Sequence, residues 1–210
     1  ITVRKNFVDA KNIKFYQGFQ EIVVEKEKED KGNNNNLIVR LKNVVLGDIT
    51  SLLMKDPKLE GVTNGEIHLH NFFGKFNAEA YLKNDQFRFN NDSVGFVNVK
   101  SNYTAETGKI NYNVTSLNSE YNFSADGLYN LNDSIQPLQA TVDLNHSKIN
   151  FVQQFLTDIF SNLSGYATGK LTVSGKPEAP DLKGRINLTN AGLKVNYTQV
   201  YYTIDSADIK

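Results

Sequence analysis

The strongest signal along the chain is alternation of apolar and polar positions with a period of two. Gly65-Glu66-Ile67-His68-Leu69-His70 puts Ile67 and Leu69 on one side and Glu66, His68 and His70 on the other. The pattern recurs in Gln86-Phe87-Arg88-Phe89, in Lys109-Ile110-Asn111-Tyr112-Asn113-Val114 and in Glu120-Tyr121-Asn122-Phe123. It returns in Ala140-Thr141-Val142-Asp143-Leu144, Lys170-Leu171-Thr172-Val173, Arg185-Ile186-Asn187-Leu188 and Leu193-Lys194-Val195-Asn196. Successive side chains of a strand point to opposite faces, so these segments predict strands with one apolar and one wet face. A parallel sheet covered on both faces would read as continuous apolar runs, which are nearly absent. The expectation is about a dozen strands, mostly antiparallel, in an up-and-down meander with turn signals every ~8 to 12 residues.

Two segments switch to helical spacing. Ile49, Leu52 and Leu53 do so within Gly47 to Met54, and Val152, Phe155, Leu156, Ile159 and Phe160 form a longer stripe within Ile149 to Phe160. Both predict short amphipathic helices, the second with Asn150 as its N-cap. Residues 25–36 (EKEKEDKGNNNN) carry charge and then Asn with nothing to bury, which predicts a flexible loop.

The charge balance is neutral, 23 basic against 23 acidic side chains. That argues against a nucleic-acid partner, because phosphate binding needs a clear basic excess. With no Cys, disulfides, Cys-based zinc sites and a Cys nucleophile are excluded. No apolar run approaches the roughly 20 residues of a membrane helix, and Ile1 to Val8 reads as alternating strand, not as a secretory signal. The 27 Asn are placed on the wet side of strands and in turns, as at Asn84-Asp85, Asn90-Asn91-Asp92 and Asn132-Asp133. His68, His70 and Glu66 share a strand face, but the remaining His, His146, lies far along the chain and no carboxylate cluster completes a metal set, so they are read as solvent-facing. No nucleophile–base or paired-acid constellation stands out, so the chain is not expected to be an enzyme, and no cofactor is expected.

The two helical segments are followed by similar sequence. Ile49, Leu52 and Leu53 align with Val152, Phe155 and Leu156 at an offset of 103. Gly61 and Gly65 align with Gly165 and Gly169 at an offset of 104, and Ile67 and Leu69 with Leu171 and Val173. At an offset of 106, Phe76, Ala80, Leu82, Phe87, Phe89 and Val94 match Leu182, Ile186, Leu188, Leu193, Val195 and Val200. The chain thus reads as approximate repeats over 37–100 and 139–205 with a meander over 101–138 between them. Starting on Ile1 and ending at Asp208-Ile209-Lys210, it is expected to be a piece of a longer array.

The run from Phe160 to Leu188 carries Gly165-x-x-x-Gly169 and alternating apolar residues, then Gly-Lys-Pro-Glu-Ala-Pro-Asp-Leu-Lys-Gly over 175–184 and Asn-Ala-Gly-Leu over 190–193. It resembles the repeat of TamB-like (translocation and assembly module) proteins of the AsmA-like group, with an Asn- and Lys-rich flavour similar to Bacteroidota homologues. The resemblance covers 145–205 with specific motifs and 41–99 in degenerate form, where Asn71-Phe-Phe-Gly-Lys-Phe replaces the Pro-containing turn. It implies an all-β, strongly curved sheet folded into a β-taco or groove with an apolar interior. It further implies a periplasmic segment of an envelope protein, anchored in the inner membrane by an N-terminal helix outside this sequence. Its implied partners are phospholipid acyl chains and an outer-membrane barrel of TamA type, with lipid transfer or help in outer-membrane protein assembly as the function.

The residues fit such a groove on their own terms. A one-faced apolar sheet must cover that face, and two short helices are too little to do so from outside. The sheet can close into a barrel, fold against itself into a sandwich, the ordinary expectation at this length, or leave a trough, and the repeat favours the trough because serial repeats have ends that want neighbours. The expected lining is Ile67, Leu69, Phe87, Phe89, Ile110, Tyr112, Tyr121, Phe123, Leu171, Val173, Ile186, Leu188, Leu193 and Val195.

Overall fold

The computed structural model describes residues 2–4, 7–9, 12–27, 36–53, 58–90, 92–177 and 179–209. Strands β1 (Thr2–Arg4) and β2 (Phe7–Asp9) pair with each other, Phe7 opposite Arg4, so the single strand expected from Ile1 to Val8 is a two-stranded unit. There follow β3 (Ile13–Gln17), β4 (Gln20–Lys26), β5 (Leu37–Val45), helix α1 (Leu46–Leu53), β6 (Leu59–His70), β7 (Asn77–Phe89), β8 (Asp92–Thr104), β9 (Lys109–Leu117) and β10 (Asn122–Asn130). After β11 (Leu138–Lys148) comes a 3₁₀ turn (Asn150–Phe155), then β12 (Phe160–Lys176), β13 (Ala179–Val195) and β14 (Val200–Ile209).

Strands β3 to β14 form one antiparallel sheet in which every strand pairs with its sequence neighbours, and the sheet is not closed: β3 and β14 lie at its two margins. The all-β, antiparallel, meandering expectation therefore holds. Opposed residues share a face, so the register carries one apolar face across the sheet. Leu69 lies opposite Leu37, Leu82 opposite Val99, Val114 opposite Ala125, Val142 opposite Leu171, and Leu188 opposite Ala167. The other face carries the charges, including the pairs Arg40–Glu25, Arg40–Glu66 at 2.8 Å and Lys170–Asp143 at 3.1 Å.

Several strands carry a bulge at a common level. Register shifts fall between Leu41 and Val44 in β5, Asn84 and Phe87 in β7, Leu144 and Ser147 in β11, and Ser161 and Tyr166 in β12. Asn43, Gln86, His146 and Asn162 hold positive φ at these shifts, between 50° and 58°. Asn tolerates that conformation better than most residues, and a bulge bends and further twists its strand. This level also carries a run of buried residues: Val44, Thr63, Asn84, Val97, Ser116, Leu144, Ala167 and Leu188. The turn expected at Asn84-Asp85 is accordingly strand: Asn84 points inward opposite Thr63, and the irregularity is a bulge inside β7.

The two helical expectations fare differently. Residues 46–53 form the α-helix, whose Thr50 hydroxyl donates to the carbonyls of Leu46 and Leu59 at 3.1 and 3.0 Å. The second segment is a 3₁₀ turn of six residues, and Asn150 lies inside it, with no side-chain bond at the cap position Ile149. Phe160 already belongs to β12 and Ile159 is exposed, so the longer stripe is broken. The chain reverses there because the amides of Ile159 and Phe160 donate to the Leu156 carbonyl, which aims them back toward the sheet. In the expected loop over 25–36, Glu25 and Lys26 are still in β4, opposite Ile38 and Leu37, and 28–35 lie outside the described residues.

The order strand–helical turn–three strands occurs twice, as β5 to β8 and as β11 to β14. The backbone repeats with it: Asn43 and His146, Gly61 and Gly165, and Gly65 and Gly169 all have positive φ. Gly65 and Gly169 sit at +147° and +145°, and a Cβ on either would meet the carbonyl oxygen of Tyr81 or Arg185, at 2.1 and 2.3 Å. Gly65→Ala and Gly169→Ala should each lower unfolding free energy by about 2–4 kcal/mol, combining backbone strain with a clash against a neighbouring strand. Gly18→Ala, at φ +60° with nothing within 4 Å, should cost only about 1–2 kcal/mol. Urea titration of the three variants checks the ranking, and equal costs would contradict it.

Candidate functional site

All fourteen expected lining residues lie on the apolar face. Ile67 and Leu69 project from β6, and Phe87 and Phe89 from the end of β7 beyond the bulge. Ile110 and Tyr112 of β9 stand opposite Tyr103 and Ser101 on one side and Tyr129 and Gly127 on the other. Tyr121 precedes β10 and Phe123 lies within it. Leu171 and Val173 of β12 stand opposite Gly184 and Leu182, Ile186 and Leu188 of β13 stand opposite Gly169 and Ala167, and Leu193 and Val195 continue β13 opposite Tyr202 and Val200. Of the fourteen, Tyr121 and Leu188 are buried and the other twelve are half-buried.

The structure does not gather these residues into one place. Phe87, Phe89 and Phe123 line a cavity of about 450 Å³ together with Leu82, Val94, Val97, Val99, Val114, Ala125 and Val142, which span β7 to β11. Leu59 and Thr63 of β6, Asn84 of β7, Leu46 of α1 and Phe151 of the 3₁₀ turn complete its wall. Leu171, Ile186, Leu188 and Leu193 instead belong to a filled cluster around Leu144, Ile149, Leu163, Ala167 and Ala191, into which Val152 and Leu156 pack. Leu69 packs against Leu37, with Ile13 and Val24, toward the β3 margin.

The alternation of Val97-Asn98-Val99-Lys100 and of Ala140 to Leu144 contains the signal for Val97, Val99 and Val142. Phe151 carries no such signal. It enters the cavity wall only because the 3₁₀ turn lays its ring near Tyr121 and Phe123, both at 6.1 Å between centroids.

Two polar residues stand among these apolar ones. The Asn84 amide nitrogen donates to the Thr63 hydroxyl at 2.8 Å, and both side chains are only 4% exposed. Asn84 Oδ1 has no hydrogen-bond partner and packs over Gly61, where a Cβ would come within 2.1 Å of it. The pair ties β6 to β7 at the bulge, and both residues belong to the cavity wall while staying buried. Burial pushes the Tyr112 hydroxyl above its ordinary pKa. It does the same to Tyr121, with the Asp92 carboxylate adding to the effect.

On the wet face, His68 lies between Glu27 and Glu66, at 3.2 and 3.5 Å, and stacks on His70. Among the described residues no three His, Cys, Asp or Glu side chains converge as metal ligands. Asp205 and Asp208 lie within β14, where the Asp208 carboxylate accepts from the Asn187 amide at 3.0 Å.

No protein-family model, curated protein or solved structure matches the chain. What the site can do is therefore argued from its own chemistry. Among the described residues this cavity exposes almost only apolar atoms, a lining whose chemistry suits contact with hydrocarbon.

Thr63→Val removes the one acceptor for the Asn84 amide while keeping its shape. It should destabilise the fold by about 1–3 kcal/mol, the cost of a buried donor left unpaired. Guanidinium unfolding of the variant reads this directly, and an unchanged midpoint would show that the pair is not what holds β6 to β7 there.

Proposed function

We propose that the apolar face of this sheet is the inside of a trough that shields phospholipid acyl chains in transit between inner and outer membrane. The observation that carries the reading is the 450 Å³ apolar cavity whose wall runs over six consecutive strands. Strands in a sheet are spaced about 4.8 Å apart, so a flat sheet could not bring side chains of β6 and β11 around one such space. A sheet curved along the level of its bulges could. The accessible surface supports the same reading: 13043 Å², against roughly 9,800 Å² for a compact chain of this size.

Each methylene moved from water into such a lining contributes about 0.8 kcal/mol, so a long chain binds without any polar contact. The neutral, polar outer face suits an aqueous compartment, and the motifs at 165–192 resemble TamB-like repeats. On this reading the chain is a non-enzymatic periplasmic segment of an envelope protein.

A second reading has one observation of its own. β14 pairs only with β13, and Val200, Tyr201, Tyr202 and Ile209 on it are all exposed. An open edge of that kind accepts a partner strand, as help in assembling an outer-membrane protein with a TamA-type barrel would require.

The readings separate by substitution. Val99→Asp and Phe89→Arg place a charge in the lining and should reduce phospholipid retained through native purification by about tenfold or more. Lys100→Glu, one residue away on the wet face, should leave it unchanged. Mass spectrometry of the extracted lipid, with circular dichroism to confirm folding, checks this. Retention that is equal in all three, or absent from the parent protein, sinks the trough and leaves the edge reading.

A further inference from the structure

The two repeats present the same apolar face but fill it differently. Against β11 to β14, the turn Asn150–Phe155 and its flanks lay Ile149, Val152 and Leu156 into the cluster around Leu163, Ala167 and Leu188, so the chain's own side chains occupy that half. Against β6 to β10, α1 contributes Leu46 to the cavity wall while Ile49 remains exposed, and the space stays hollow. Between the halves stand Phe123 and Val142, which line the cavity and also pack against the filled cluster. Phe151 lies over them, packed with Val94, Val97 and Tyr121.

We infer that the hollow half is a bounded site for a single unbranched hydrocarbon chain, and that the ring of Phe151 is the wall on which its methyl end stops. The inference rests on the trough reading and deepens it, turning a uniform conduit into a seat of fixed length. A cavity of roughly 150 Å³ holds one benzene, six carbons; on that scale 450 Å³ holds roughly 18 carbons. That is one long chain and not two, so a diacyl lipid would seat one chain at a time. Among the described residues the lining exposes almost no polar atom with which to hold a headgroup: Asn84 and Thr63 belong to it, but both are buried, and the Asn84 amide nitrogen donates to the Thr63 hydroxyl. The headgroup therefore remains outside, and chain length is the quantity this site can select.

The test is a series of saturated fatty acids from about 8 to about 22 carbons, each below its aggregation limit, competing with a fluorescent fatty acid on the intact chain. Affinity should rise roughly fourfold per methylene and then level off near 16 to 18 carbons. Phe151→Ala should move the break to longer chains by on the order of four to six carbons, and Phe151→Leu by about half as much. Affinity that climbs through the whole series in the parent protein overturns the bounded site while leaving a trough. A break at the same length in a folded Phe151→Ala or Phe151→Leu protein overturns the role of Phe151. No binding at any length overturns the trough reading, and the inference with it.

Discussion

Everything in this structure follows from a sheet that has one apolar face and too little of its own chain to cover it. Twelve strands carry that face from β3 to β14, and among the described residues the helical chain offered to it is one helix of eight residues and one 3₁₀ turn of six. An ordinary domain resolves this by packing a second layer on the first. Here the face is filled in one region by Ile149, Val152 and Leu156 and left half-buried in others. Uncovered apolar surface costs free energy in water, and a bound hydrocarbon chain relieves that cost. The proposed function is the same statement read from the ligand's side.

The bulges are what make such a face usable. Asn43, Gln86, His146 and Asn162 accept the left-handed conformation within strands, and most of the buried residues at that level are small or short, with Thr63, Asn84, Val97, Ser116 and Ala167 beside the larger Leu144 and Leu188. A bulge bends its own strand, and bulges at one level are what a curved sheet would need. Gly65 and Gly169 each lie so close to the backbone of the next strand that a Cβ would clash there.

Much of this was legible in the chain, for a physical reason. Alternation is a direct record of which face each residue takes, so the fourteen residues that share the apolar face could be named from it, and positive φ recurs at Asn43 and His146, Gly61 and Gly165, and Gly65 and Gly169. What alternation does not record is where a face is filled. Phe151 sits in a segment whose spacing suggests a longer helix, and only the reversal at Leu156 places its ring at the cavity wall. Asn84 reads as a turn former, yet it is a buried wedge, because whether an Asn amide meets water or a Thr hydroxyl depends on the strand opposite. The Asn surplus, which pointed to wet faces and turns, also supplies bulges that no local pattern marks.

The claim that the apolar face holds lipid is tested most directly by a photo-crosslinking side chain placed in turn at Val97, Asn98, Val99, Lys100 and Ser101 of β8, in protein supplied with phospholipid vesicles. These positions alternate between the cavity side and the wet face. Acyl-chain adducts at 97, 99 and 101 with none at 98 and 100 are the predicted result. Adducts spread evenly over both faces, or confined to the wet one, would contradict the account.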